Sequence, residues 1–129
     1  MENTEQFIEE VIDLANILFF QQSAGATQFA LPKNYVNNDD IKIKVNKEHI
    51  DIKILLEQSK ERIEDKSIKA RLCAALKSTT NDLIEIAKVV IAVLLPLSLA
   101  PHLLIPTIPI IYAGISLVIY NAGVKSLCL

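Results

Sequence analysis

The chain has little of what most catalytic and metal centres are built from: two histidines, two cysteines, three glycines and no tryptophan among 129 residues. Neither His49 nor His102 has a second histidine or a cysteine at ligand spacing, so no zinc set is expected, and His49 reads as a surface residue. Neither G-x-x-x-x-G-K-S/T nor G-x-G-x-x-G occurs, which removes the common phosphate loops. The cluster Asn37-Asn38-Asp39-Asp40 lacks the spaced acids and the glycine of a calcium loop. Cys73 and Cys128 belong to no ligand set and make no disulfide framework, which suits a reducing compartment. Cys128 is second from the end of the chain, the wrong place for prenylation. A net charge of −2 without a basic stripe gives no reason to expect nucleic acid. No enzyme, cofactor or metal is expected.

Charge is missing from one long stretch, and the chain is organised around it. From Val89 to Tyr120 nothing is ionised at neutral pH apart from whatever fraction of His102 is protonated, and beyond it the only full charge is Lys125. All fifteen acids lie at or before Glu85. A single helix through this run would be about 48 Å long, well beyond a hydrocarbon core of roughly 30 Å. Pro96, Pro101, Pro106 and Pro109 punctuate it, so the expectation is a helical hairpin bent near 100–107, with Pro101 and His102 at the reversal. The first arm runs from Leu83 to Ala100. The second, roughly Ile108 to Asn121, has Thr107 available as N-cap and Pro109 in the first turn, where a missing N–H costs nothing.

Eight Leu, Ile and Val residues in 89–100 and ten in 103–120 favour insertion of each arm into a bilayer. Each contributes about −0.3 to −0.6 kcal/mol, an advantage that the prolines, Gly114 and the serines reduce. Two arms inserting together are favoured over either alone. Glu85 and Lys88, three apart, can pair on one helix face at the membrane boundary while Lys88 snorkels. His102 at the hairpin tip reads first as a wet loop residue, and at membrane depth it would be a functional group by default; Tyr120 suits an interface belt, and Gly114 lets helices approach closely. No signal peptide opens the chain, and Lys88 and Lys125 flank the hairpin, so both ends are expected in the cytoplasm.

The polar part is expected to be a small helical head. Phe7, Val11, Leu14 and Leu18 form an apolar line on a first helix, beside a second line of Ile8, Ile12, Ala15 and Phe19. This face either packs onto the head's own core or serves as an association face, since few other apolar residues in the head are available to cover it. Gln21–Thr27 reads as a helix stop with Gly25 left-handed, and 28–40 as a polar loop. Ile41-Lys-Ile-Lys-Val45 alternates as a short strand. A hairpin across 46–49 is one continuation; a helix from about 48 to 64 is favoured over it. A further helix starts after Asp65-Lys66, and it either runs unbroken into the first arm or breaks where Asn81 caps a new helix.

The expected fold is therefore mainly α: a cytosolic head (1–82, with room for one short strand or β-hairpin), a transmembrane two-helix hairpin (83–124) and a tail (125–129). In layout the chain resembles small two-helix transmembrane effectors of prokaryotic immune and toxin systems, a likeness of arrangement that assigns no residue roles. The function expected is a membrane effector whose head senses or self-associates and whose hairpins oligomerise to permeabilise the bilayer. The partners implied are lipid, further copies of the chain and a cytosolic protein. The alternatives are a passive anchored adaptor, and a soluble helical oligomer burying the C-terminal half.

Overall fold

A computed structural model describes residues 4–26, 28–30, 45–46, 49–97 and 109–128. The fold is mainly α, with a small three-stranded sheet. Its centre is helix α5 (Pro109–Ala122), whose residues from Ile110 to Leu117 are all buried. A helix that is apolar all round must be enclosed on every side to be stable in water, and here three other helices enclose it.

The first of them, α1 (Thr4–Ser23), opens with Glu5 in its first turn, where the helix dipole favours an acid. Val11, Leu14, Ala15 and Leu18 recur at helical spacing and are fully or almost fully buried, and the helix packs chiefly on α5. Glu5, Glu9 and Asp13 face solvent. The helix ends in a Schellman motif: the Ala26 N–H donates to the Gln21 carbonyl and the Gly25 N–H to that of Gln22, both at 3.0 Å. Gly25 has φ of 83° there, as expected of the left-handed stop.

Strand β1 (Gln28–Ala30) pairs antiparallel with β3 (His49–Asp51), which also pairs with β2 (Val45–Asn46), giving the order β1-β3-β2. Two expectations are corrected here. Residues 28–30 belong to a strand rather than to a polar loop. The β-hairpin is formed, so the next helix starts at residue 52 rather than near 48. Asp51 sets that start: its carboxylate accepts from the Ile54 N–H at 3.1 Å, capping α2 (Ile52–Arg62). Of the expected strand over 41–45, only Val45 lies within the described residues.

Helix α2 buries Ile52, Leu55 and Ser59 against α5. Arg62, in its last turn, is half-buried, and desolvation lowers its pKa while neighbouring Glu61 opposes the shift. After Ile63, Asp65 caps α3 (Lys66–Leu76) by accepting from the Ser67 and Ile68 N–H groups at 2.9 and 3.2 Å. The α3 stripe of Ile68, Leu72 and Leu76 is buried against α4 (Leu83–Leu97).

Of the two expectations for 67–95, the structure takes the break, with residues 77–82 forming a turn between α3 and α4. Asn81 does not cap the new helix: α4 starts at Leu83, and the Asn81 side chain bonds Tyr120 and Val124. Thr79, Thr80 and Asn81 are poor helix formers, and the Thr79 N–H turns back to the Leu76 carbonyl at 3.0 Å. Asp82 holds the entry to α4, its carbonyl accepting from the Ile86 N–H at 2.9 Å. Beyond α5, Gly123 at φ 90° lets the chain turn into the short α6 (Val124–Leu127).

Charge segregation divided the chain into a head and a hairpin at 82/83. That boundary falls in the α3–α4 turn, and the elements on both sides of it share one core, from Val11 to Ile119. The reason is that α1 and α2 turn their apolar stripes onto α5.

Candidate functional site

The hairpin arms α4 and α5 are antiparallel. Asn81, just before α4, donates its side-chain amide to the Tyr120 carbonyl near the end of α5 at 3.4 Å, and its Oδ1 accepts from the Val124 N–H at 3.1 Å. The arms have 15 and 14 residues, or about 22 Å each at 1.5 Å per residue. Among the described residues no helix is long and apolar enough to cross a membrane. Of the expected arms, Leu83 to Ala100 and Ile108 to Asn121, the described residues are α4 to Leu97 and α5 from Pro109.

The sequence had pointed to eight hairpin residues. Pro109 is the first residue of α5 and half-buried, as its fixed φ and missing N–H allow. Pro96 lies exposed in the last turn of α4 and cannot donate to the preceding turn. Glu85 and Lys88 both face solvent on α4. Pro101, His102 and Pro106 lie outside the described residues.

Gly114 does permit a close approach, but the helix it admits is α2. A Cβ at this position would overlap Ser59 Oγ and come within 3.3 Å of the Leu55 side chain. The Ser59 hydroxyl donates to its own Leu55 carbonyl at 2.8 Å, and Ser116 does the same to Tyr112 on α5. Both buried hydroxyls are thus satisfied within their helices.

The proposed association face of α1 is occupied by the chain itself. Val11, Leu14 and Leu18 are fully buried, and Phe7 meets Tyr112 edge-to-face with ring centroids 5.2 Å apart. What α1 presents outward is a different set, Ile17, Phe19 and Phe20, of which Phe20 is 75 % exposed.

The two faces of α4 differ. Leu83, Ile86, Ala87, Val90, Ile91 and Leu94 are buried. The outer face carries Glu85 and Lys88 in its first half and none but apolar residues afterwards: Ala92 and Pro96 exposed, Val89, Val93 and Leu95 half-buried. Residues 98–108, next in the sequence, have no ionisable side chain but His102.

At the opposite end the hairpin is tied down. Besides Asn81, the Asn121 side-chain amide donates to Gln22 Oε1 at 3.1 Å, and Phe19 meets Tyr120 edge-to-face at 5.4 Å. Cys128, which caps α6, is disulfide-bonded to Cys73 on α3, with the two Cα atoms 5.4 Å apart. That overturns the reading of the two cysteines as unrelated; their separation of 55 residues hid a pairing that only the α3–α6 contact brings about. Nearby, a cleft of about 620 Å³ opens between the end of α1, α2 and α5. Ile52, Leu56 and Val118 line it together with Lys53, Glu57 and Lys60. Among the described residues no group of His, Cys, Asp and Glu side chains could hold a metal ion.

These features define a small helical protein whose apolar central helix is enclosed by its own amphipathic helices and whose α4, beyond Lys88, has an outer face that is uncharged and wholly or partly exposed among the described residues. Compared with protein-family models, curated proteins and solved structures, the chain matches none.

Proposed function

We propose that the protein is a non-catalytic membrane effector that keeps its apolar hairpin folded into its own helical sheath and meets a bilayer through the uncharged end of that hairpin. The observation that carries this reading is the outer face of α4 beyond Lys88, where Val89, Ala92, Val93, Leu95 and Pro96 lie wholly or partly in the open with no charge among them. An uncovered apolar surface of this kind marks a docking site for lipid or protein. Lys88 stands at its inner border, where a snorkelling cation would meet lipid headgroups. Once on the surface, the arms become available to insert and to assemble with other copies, since each is short for a span and gains from association. The membrane face addressed is the cytoplasmic one.

The test is binding of the full-length protein to vesicles containing anionic phospholipid, with dye release measured in parallel. Ala92→Asp places on the exposed face, without touching the core, a charge that neither snorkels nor is drawn to anionic headgroups. It is expected to reduce vesicle binding by about tenfold or more while leaving the circular dichroism unchanged. Undiminished binding of this variant rules out α4 as the lipid-facing element. A second reading, an adaptor for a cytosolic protein, is favoured by the exposed Phe20 and Ile17 on α1. It predicts that Phe20→Ser abolishes partner capture without affecting vesicle binding.

A further inference from the structure

The disulfide joins α3 to α6, two elements that touch in the fold and are separated along the chain by the whole hairpin. Between Cys73 and Cys128 lie the whole of α4 and α5, so the bond closes a covalent ring containing the apolar hairpin. Its position is accessible: Cys128 is exposed and Cys73 half-buried. Other ties at this end are the Asn81 bonds to Tyr120 and Val124 and the Asn121–Gln22 bond, all at the solvent-exposed surface, and the Phe19–Tyr120 ring contact. The α6 that carries Cys128 is only 4 residues long and buries none of them. Val124 and Leu127 rest half-buried against the core, and the disulfide adds the covalent hold on α3.

We propose that the Cys73–Cys128 disulfide is a reversible thiol latch, which when closed fixes α6 and the end of α5 on α3, and when opened lets the C-terminal end of the hairpin leave the sheath. That this release serves membrane entry rests on the function proposed above; the latch itself does not. The chemistry is two-step exchange with a low-molecular-weight thiol. A thiolate attacks Sγ of the exposed Cys128, the Sγ–Sγ bond breaks, and Cys73 leaves as a thiolate that takes up a proton. A second thiol then displaces Cys128 from the mixed disulfide. Two thiols are oxidised to one small disulfide, and the protein gains two electrons and two protons.

The full chain is equilibrated in oxidised and in reduced glutathione, its free thiols are counted, and amide hydrogen exchange is followed in both states. The expected result is no free thiol when oxidised and two when reduced. On reduction, exchange at Tyr120–Leu127 accelerates by about tenfold or more while amides of 55–59 in α2 hold their rate. Cys73→Ser behaves as the reduced protein in both buffers. Two titratable thiols persisting in oxidised glutathione, or equal exchange at Tyr120–Leu127 in both states, overturns the latch. Vesicle binding by the reduced protein is scored separately: a released end that gains no vesicle binding counts against the membrane reading and leaves the latch standing.

Discussion

Gly114 offers a measurement in which the fold and a free-standing hairpin predict opposite signs. Alanine in a helix interior is favoured over glycine by about 1 kcal/mol, so in an α5 with open space beside it Gly114→Ala would stabilise. In the structure the new methyl group meets Ser59 Oγ, with the Leu55 side chain 3.3 Å away. Overpacking of this kind costs about 1–3 kcal/mol. Taking the middle of that range against the propensity gain leaves a net loss of about 1 kcal/mol, roughly 4 °C in Tm for a chain of this length. Ser59→Ala removes the obstructing oxygen, and its hydroxyl satisfies only its own Leu55 carbonyl, so that change alone should be near neutral. In the Ser59→Ala background, Gly114→Ala should then be neutral or stabilising. The pair is expected to couple by about 1–2 kcal/mol in a double-mutant cycle. Urea unfolding followed by far-ultraviolet circular dichroism suffices for all four proteins. A Gly114→Ala variant more stable than its parent, with no coupling to residue 59, would refute the close approach of α2 and α5.

Two further predictions concern the tied end of the hairpin. Cys73→Ser should lower the stability of the oxidised protein by about 4 kcal/mol, the chain-entropy value for a ring of this size, and reducing agent should erase the difference between variant and parent in thermal unfolding. Asn81→Ala removes two hydrogen bonds bridging the start of α4 to the end of α5 and the start of α6, and at this exposed site should cost about 1 kcal/mol in urea unfolding.

Several elements were legible because their signals are local. The apolar recurrence of α1, the Gly25 stop, the Asp65-Lys66 start of α3 and Pro109 at the head of α5 each depend on a few adjacent residues. The strand at 28–30 was missed because Gln28-Phe29-Ala30 carries no alternation of its own and becomes a strand by pairing with 49–51. The favoured helix start near 48 failed for a related reason, since Asp51 caps the helix only after the β-hairpin has brought it there. Helical spacing shows that the stripe of α1 must be buried, without showing what buries it. Charge segregation likewise shows where the apolar residues lie along the chain, without showing that α1 and α2 turn theirs onto α5. Gly114 was singled out for the right property, smallness at a helix contact, whereas the identity of the helix beside it is a matter of tertiary structure.

The packing of α1 on α5 has a consequence for how the chain is made. The Asn121–Gln22 bond spans 99 residues of sequence, and the stripe of α1 has its main partner in α5, a helix synthesised long after it. At about 5–20 residues per second, α1 waits several seconds with Val11, Leu14 and Leu18 uncovered. An emerging chain in that condition is a natural client for a holding chaperone. A ribosome stalled before residue 109 would release a product with an open apolar stripe, prone to aggregate or to be degraded.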